Sequence, residues 1–98
     1  MAAYLIVDVE VRDHEAYEEY RKLVPTSLLP YGGKFIVRGG ATKTLEGDWL
    51  PGRIIVIEFP TAERANTWWS SAEYRIAKTM RQRAASTRMI LVEGSDST

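Results

Sequence analysis

Two segments of the chain carry apolar residues on both of their alternating faces, and this feature most restricts the possible folds. They are YLIVDVEV at residues 4–11 and RIIVIEF at residues 53–59. Successive side chains of a β-strand point to opposite faces of the sheet, and branched residues favour strands. Both segments are therefore predicted to be strands that are covered on two faces. One face carries Leu5, Val7, Val9, Val11, Ile55, Ile57 and Phe59, and the other carries Tyr4, Ile6, Ile54 and Val56.

Two shorter segments, KFIVR at residues 34–38 and TRMILVEG at residues 87–94, are also predicted to be strands. In the first of them, regular alternation places Phe35 and Val37 on one face and Lys34, Ile36 and Arg38 on the other. Residues 41–52 between the second and third strands predict a loop or a short edge hairpin.

Helical patterns separate the strands. The first helix is predicted to begin after Asp13, which would act as its N-cap. A break or a bend is expected at Pro25, because proline removes a helical hydrogen bond. Thr26 or Ser27 would then cap a short second piece that ends near Tyr31 and Gly32.

The second helical region is predicted to begin after Thr61, and the spacing from Ser70 to Glu73 predicts a further N-cap within it. The order of elements is then β-α-β-β-α-β. Right-handed crossovers turn this order into the α+β, ferredoxin-like arrangement, a four-stranded antiparallel sheet with helices on one face.

The second face of that sheet predicts self-association. Helices cover one face only, and an apolar surface of this size is unusual on a monomer in water. A homodimer that packs sheet against sheet would cover it. The residues expected on this face are Tyr4, Ile6, Ile36, Ile54, Val56, Met89 and Leu91.

Several motifs, in order along the chain, resemble domain-of-unknown-function family 1330. They are YLIVDVEV, the helix start D-x-E-A-Y-x-x-Y, YGGKFIVRGG, the LEG turn, RIIVIEFP, S-x-E-Y-x-x-A-K-x-x-R and the final ILVEG. The resemblance runs from about Tyr4 to Gly94. One departure is His14, which stands where the family often has proline.

The resemblance implies a dimeric α/β barrel and no assigned reaction. Relatives on this fold include cofactor-free monooxygenases, muconolactone isomerases and haem-dependent chlorite dismutases. Analogy at the level of the fold is weak support for a function.

Composition excludes several classes of function. Thirteen Lys and Arg residues balance thirteen Asp and Glu residues, so the basic excess of a nucleic-acid or membrane-surface binder is missing. The chain has no cysteine and one histidine, which argues against a metal, haem or other cofactor. With no signal-peptide pattern or apolar span in its 98 residues, it is expected to be cytoplasmic. We expect one domain at residues 1–94 and a polar tail at residues 95–98.

The glycine pairs of YGGKFIVRGG do not form a phosphate-binding loop. Such a loop follows a strand and opens a helix, whereas Gly32-Gly33 follow a helix and Gly39-Gly40 lead into a loop. A single RGG inside an ordered pattern also differs from the repeated tracts that bind RNA. Both pairs are predicted to allow turns.

Arg38 is the main candidate for chemistry. Alternation places it on the face of Asp8, Glu10 and Glu58, away from the helices. One interpretation is an ion-pair network within or across a dimer. The other is a guanidinium that binds a ligand carboxylate or enolate, with Glu58 or Asp8 as a general base.

The remaining candidates are His14 and a set of aromatic residues. His14 is interpreted first as an exposed residue at a helix start and second as a catalytic group. Tyr31, Trp68 and Tyr74 are interpreted as core residues, or alternatively as the wall of a pocket for a planar ligand between helices and sheet. Trp49, in the predicted loop, would close over a partner subunit or a pocket mouth.

Three functions remain open at this point. The chain is a cofactor-free enzyme of the oxygenase or isomerase kind that acts on a small organic acid or aromatic metabolite, a ligand-binding protein without chemistry, or a structural dimer. No Ser/His/Asp set or nucleophilic cysteine is present in the sequence to favour a hydrolase.

Overall fold

The structure is a computed structural model that describes residues 1–95. The last three residues of the expected polar tail, 96–98, lie outside the described part. The strands are β1 (Ala3–Val11), β2 (Lys34–Arg38), β3 (Arg53–Phe59) and β4 (Ala85–Glu93). The α-helices are α1 (His14–Leu28), α2 (Ala62–Trp69) and α3 (Ala72–Ala84), and a short 3₁₀ helix spans Leu29–Tyr31.

The four strands form one antiparallel sheet in the order β2-β3-β1-β4, which confirms the predicted ferredoxin-like arrangement. Leu5 lies opposite Ile57 on one side and opposite Leu91 on the other. This register brings the buried residues of the strands onto one face, against the helices. None of the helices in residues 1–95 is long and apolar enough to cross a membrane.

The core between the sheet and the helices contains the large aromatic residues. Phe59, Trp68 and Tyr74 are at most 1% exposed. Trp68 and Tyr74 stack with ring centroids 3.9 Å apart, and Phe59 lies 5.6 Å from Trp68. These rings connect α2 and α3 to β3, so the helical layer is fixed on the sheet by aromatic packing.

The helix starts follow the predicted capping rules, with one shift. Asp13 accepts a hydrogen bond from the Ala16 amide at 3.0 Å, and Thr61 accepts one from the Arg64 amide at 3.1 Å. The prediction of Ser70 as the next cap was wrong by one residue. Ser71 caps α3 by accepting from the Tyr74 amide at 3.2 Å.

Of the break or bend predicted at Pro25, the break was wrong, because α1 continues through Pro25 to Leu28. Neither Thr26 nor Ser27 begins a new helix, and Ser27 instead donates to the carbonyl of Val24 at 2.7 Å. A proline inside a helix removes one hydrogen bond but need not end the helix when the freed carbonyl finds another donor. Gly32 does end the 3₁₀ turn, in the left-handed region with φ 72°.

The predicted faces of β2 were wrong at its end. A β-bulge lies between Phe35 and Val37, so Val37 pairs with Val56, and Arg38 pairs with Ile55. The extra residue shifts the alternation by one position. Arg38 therefore lies on the helix side of the sheet, and not on the side of Asp8, Glu10 and Glu58.

The predicted faces of β4 were also wrong. Met89 pairs with Val7, and Leu91 pairs with Leu5. Both lie on the helix side and pack against the core. Ile90 and Val92 take the other side and are 59% and 39% exposed. The surface of the sheet away from the helices, here called the open face, is therefore formed by Tyr4, Ile6, Ile36, Val37, Ile54, Val56, Ile90 and Val92.

The long connection between β2 and β3 contains no strand, so it is a loop rather than a hairpin. Leu45 and Leu50 in this loop are 83% and 84% exposed. The loop joins the strand that carries Arg38 to the strand that begins with Arg53.

Candidate functional site

A small cavity lies between the helices and the sheet, on the side where β2 and α1 meet. Its volume is about 20 Å³, which is close to the space that one water molecule occupies. Four arginines line it, from α1, β2, β3 and α3, together with five aromatic residues. The arginines are Arg21, Arg38, Arg53 and Arg81, and the aromatic residues are Tyr17, Tyr20, Phe35, Trp68 and Tyr74.

Arg38 reaches the cavity because of the bulge in β2. Its guanidinium lies 4.1 Å from the centroid of the Phe35 ring and donates to the carbonyl of Arg21 at 3.0 Å. That carbonyl would normally accept from the amide four residues later, and this residue is Pro25, which has no N–H. The proline in α1 thus leaves an acceptor free for Arg38.

Arg53 begins β3 on the helix side, opposite Val9. Its Nη2 lies 3.4 Å from the carbonyl of Arg38, and its buried Nε has no hydrogen-bond partner within residues 1–95. Gly39 makes room for it, because a Cβ at Gly39 would lie 2.4 Å from the Arg53 guanidinium carbon. The end of β2 therefore packs directly on the Arg53 side chain.

Arg81 is the most deeply buried of the four arginines, at 5% exposure. Its Nε donates to the hydroxyl of Tyr74 at 3.2 Å. Arg21 pairs with Glu18 at 2.9 Å, whereas in the described part of the chain Arg38, Arg53 and Arg81 form no salt bridge. Buried cations are normally paired, so Arg81 without a carboxylate is unusual, and it lies in one cluster with the half-buried Arg53 and the more exposed Arg38.

Electrostatics in the cluster are repulsive. The pKa of Arg38 is lowered from its ordinary value, first by burial and then by the charges of Arg21 and Arg53. An anion placed among these guanidiniums would relieve this repulsion and would accept several charged hydrogen bonds.

The tyrosines of the cavity supply hydroxyl groups. The Tyr20 and Tyr74 oxygens lie 2.9 Å apart. Burial and the neighbouring Tyr74 raise the pKa of Tyr20 far above its ordinary value, and burial raises the pKa of Tyr17. The Tyr17 hydroxyl is buried beside the Arg53 side chain and, among residues 1–95, finds no acceptor and no hydrogen bond of good geometry. With their pKa values raised, Tyr17 and Tyr20 stay protonated near neutral pH and can donate.

Trp68 holds this wall of the cavity in place. Its indole Nε1 donates to the Ser27 hydroxyl at 3.0 Å, which links α2 to α1. Its ring stacks on Tyr74. Trp68 is 1% exposed, so its role is to support the cavity wall with its apolar surface.

A wider outer pocket of about 310 Å³ adjoins the cavity, and Tyr17 and Arg53 line both. Its other lining residues are Val11, His14 and Glu18. Its volume is at the lower end of the range for small-molecule sites. His14 is thus beside the outer pocket and not in the cavity. We call the cavity and the outer pocket together the cleft.

Asp8 and Trp49 lie on the other side of the sheet from the cleft. Asp8 accepts from Trp49 Nε1 at 2.9 Å, from the Gly52 amide at 2.9 Å and from Arg88 at 3.0 Å. The pKa of Asp8 is lowered, chiefly by the Trp49 hydrogen bond. Asp8 therefore fastens the β2–β3 loop to the sheet.

Glu58 also lies on the open face, where it accepts from the Tyr4 hydroxyl at 3.2 Å and pairs with Lys34 at 3.1 Å. The predicted ion pairs of Arg38 with Asp8 or Glu58 were wrong, because the sheet separates Arg38 from both. Tyr31 donates to Glu73 at 2.6 Å outside the cleft. Of the residues that the sequence suggested, the structure brings Arg38, Trp68 and Tyr74 together at the cavity.

The sequence reading missed Arg21, Arg53 and Arg81. Arg53 alternates in step with Ile55 and Ile57 along β3, so the sequence does indicate that it lies on the helix side of the sheet. Arg81 continues the buried stripe of α3 that contains Tyr74, Ala77 and Ala84. Arg21 stands among the charged residues Glu18, Glu19 and Lys22 of α1, and the sequence there contains no comparable signal.

The lining of the cavity is in large part apolar, and each of its polar side chains can donate a hydrogen bond. Guanidinium groups have no acceptor, and the tyrosine hydroxyls and the Trp68 indole each carry a hydrogen that can be donated. No group of three His, Cys, Asp or Glu side chains within residues 1–95 is placed to hold a metal ion. This arrangement of side chains can bind an anion and stabilise negative charge that develops on it.

Comparison with known proteins gives the family and the fold. A family model described as "Domain of unknown function (DUF1330)" matches residues 2–95. No curated protein is similar enough in sequence to count as a match. The solved structure of RPA0582, a protein of unknown function from Rhodopseudomonas palustris, is 22% identical with a TM-score of 0.78, over 97% of this chain and 83% of that chain.

Two further solved structures share the fold at lower identity. SnoaB from Streptomyces nogalater, a cofactor-independent oxygenase, is 8% identical with a TM-score of 0.68, over 98% of this chain and 95% of that chain. A protein of unknown function from Bacteroides fragilis, described as dimeric and ferredoxin-like, is 12% identical with a TM-score of 0.66, over 95% of this chain and 96% of that chain. At these identities the likeness concerns the fold alone.

Proposed function

This chain belongs to the DUF1330 family, and from that premise we propose that it is a homodimeric protein that binds a small organic anion in its cleft. The observation that carries the proposal is the set of three arginines without a carboxylate partner within residues 1–95, in a chain of net charge zero. Unpaired guanidiniums beside a cavity are the groups that recognise carboxylates and other oxyanions.

The cleft itself supports a ligand with an apolar body. The body of a ligand has room in the outer pocket, where Val11 and the ring of Tyr17 supply apolar surface. Small-molecule sites commonly combine an apolar lining with a few convergent polar groups. An aromatic or otherwise conjugated acid therefore fits the chemistry of the lining better than an inorganic anion does.

The homodimer is proposed from the open face. Ile36 and Ile90 on it are 52% and 59% exposed, and a second copy would cover them. Lys34 and Glu58 already pair within one chain, as do Arg88 and Asp8, so these four charged groups are neutralised before association. The dimeric protein from B. fragilis has a similar fold, which adds support.

A second candidate function is cofactor-free chemistry of the oxygenase or isomerase kind on the bound anion. The hydrogen bonds that join Arg81, Tyr74 and Tyr20 favour it over binding alone. Such a chain of donors stabilises charge that appears on a substrate oxygen during reaction. The fold of the cofactor-independent oxygenase SnoaB is compatible with this candidate. A purely structural dimer would leave the arginine cluster without a use.

The binding proposal is tested by melting temperatures of wild type, Arg38→Ala and Lys22→Ala with benzoate, pyruvate and 4-nitrophenolate. Lys22 is the control, because it is exposed on α1 and pairs with Glu19 away from the cleft. At least one anion is expected to stabilise wild type and Lys22→Ala and not Arg38→Ala. Without ligand, Arg38→Ala should cost about 1 kcal/mol, the scale of an exposed charged contact.

Two results would refute the binding proposal. One is that none of these anions raises the melting temperature of the wild type. The other is equal stabilisation of wild type and Arg38→Ala, because the anion would then bind without the arginine cluster.

A further inference from the structure

We propose that the cleft selects an anion whose charge lies on a single oxygen, a phenolate or an enolate, in preference to a carboxylate. This inference rests on the proposed function and specifies its ligand. The sizes of the two spaces favour a single oxygen atom in the cavity. The cavity of about 20 Å³ has room for one oxygen atom, and the outer pocket of about 310 Å³ has room for the body of the molecule. A carboxylate would need room for a carbon and a second oxygen.

The hydroxyl groups of Tyr20 and Tyr74 carry more hydrogens than their mutual hydrogen bond uses. Arg81 Nε can only donate, so it donates to the Tyr74 oxygen. One hydrogen lies between the Tyr20 and Tyr74 oxygens, and the pair owns two. One phenolic hydrogen is therefore left over, whichever tyrosine donates to the other, and no group within residues 1–95 accepts it.

Tyr17 adds a second free hydroxyl at the boundary between the cavity and the outer pocket. Its hydrogen also lacks an acceptor in the described part of the chain. A ligand oxygen in the cavity would accept both phenolic hydrogens. A bond to a charged acceptor is stronger than one to a neutral acceptor, so this arrangement favours the ionised oxygen.

Every charged or titratable group that faces this oxygen position favours negative charge there. Arg21 lines the cavity from α1, Arg38 from β2, Arg53 from β3 and Arg81 from α3. The remaining strands contribute no ionisable side chain to the lining, since β1 provides Val7 and Val9 and β4 provides Met89. Glu18 lines the outer pocket, where it is already paired with Arg21.

The experiment is a spectrophotometric titration of 4-nitrophenol, whose phenolate absorbs visible light, with and without excess protein. Binding that favours the phenolate is expected to lower the apparent pKa of the bound phenol, so that it ionises at a proton concentration roughly tenfold higher than in water. Benzoate should compete only weakly. An unshifted titration of the bound phenol would overturn the inference.

Tyr17→Phe separates this role from a structural one. Because the buried hydroxyl has no partner within residues 1–95, its removal should leave the melting temperature unchanged or raise it. The substitution should also make the lowering of the bound phenol's apparent pKa several-fold smaller. Tyr31→Phe is the matched control, since its hydroxyl bonds Glu73 outside the cleft, and it should keep the full shift. An equal shift in wild type and Tyr17→Phe would contradict the proposed donor.

The same titration distinguishes the two levels of the proposal. If benzoate binds with dependence on Arg38 and outcompetes 4-nitrophenolate, the single-oxygen inference fails, and the binding of an organic anion stands. If neither probe binds in an Arg38-dependent way, both fail together.

Discussion

The guanidinium of Arg38 donates to the carbonyl of Arg21, 3.0 Å away, and this is the carbonyl that Pro25 leaves without a helical partner. A residue that is unfavourable for α1 thus creates the acceptor that holds a cleft residue of β2. Pro25 lowers the stability of α1 locally, and the carbonyl that it leaves free fixes the position of the Arg38 guanidinium.

Pro25→Ala should separate these two effects. Alanine restores an N–H that bonds the Arg21 carbonyl and competes with Arg38, so the free energy of unfolding should rise by about 1 kcal/mol or more. Affinity for the anion that stabilises the wild type should fall several-fold. Urea unfolding and ligand titration measure the two quantities. A gain in both stability and affinity would show that the Arg38 anchor does not depend on the proline.

Gly39→Ala should disturb the cleft through Arg53. Gly39 has φ 74°, and an added Cβ would lie 2.4 Å from the Arg53 guanidinium. The substitution is expected to cost about 1–2 kcal/mol and to weaken anion binding. Gly40→Ala is the control, because a Cβ there meets no atom of residues 1–95 within 4 Å. Equal anion affinity in the two variants would argue against a role for Arg53.

Asp8 should make stability depend on acid pH. Its pKa in the folded state is lowered, first by the Trp49 hydrogen bond and also by Gly52 and Arg88. A lowered folded pKa means that the carboxylate stabilises the fold fully above its ordinary pKa of 3.8 and loses this effect as the pH falls through the folded pKa.

Asp8→Asn should therefore cost about 1–2 kcal/mol near neutral pH, the scale of hydrogen bonds to a charged group. The difference from wild type should shrink as the pH falls below 3.8. Glu10→Gln, exposed on the same strand, serves as the control. The measurement is urea unfolding at a fixed protein concentration, followed by the fluorescence of the tryptophans. A difference that grows toward acid pH would have the wrong sign.

Ile90→Lys should separate the proposed dimer. Ile90 is exposed on the open face, so a lysine there is tolerated by the single chain and is unfavourable in an apolar interface. Light scattering should give twice 11.1 kDa for wild type and 11.1 kDa for the variant. Ile76→Lys on α3, where Ile76 is 72% exposed, should remain dimeric. A wild type that is monomeric at micromolar concentration would exclude the dimer.

The sequence was sufficient for the order of the elements and for the faces of β1 and β3. The alternation of β1 and β3 is regular, and the buried positions Leu5, Val7, Ile55 and Ile57 follow from it directly. The prediction of a break at Pro25 relied on the local cost of proline and could not include a distant donor such as Arg38. The faces of β4 were misassigned, although its pairing with β1 is regular, because the sequence alone does not give the register between strands.

The candidate site was harder to predict than the fold. Arg38 was identified, but its face was wrong, because the bulge that moves it leaves no mark in the alternation of KFIVR. The cluster as a whole depends on four elements meeting at one point. Arg21 and Arg81 are separated by sixty residues in the chain and become neighbours of one cavity only through the packing of α1 on α3.

The bulge in β2 has a further consequence for aggregation. β2 and β4 are the two edges of the sheet, and an edge with a regular row of free N–H and C=O groups can recruit strands from other molecules. The bulge at Phe35–Val37 interrupts that row on one edge. β4 pairs with β1 in continuous register from Ala85 to Glu93, so its outer edge is regular. Fibril growth from partly unfolded molecules should therefore begin at β4. Charged substitutions on β4 are expected to oppose it.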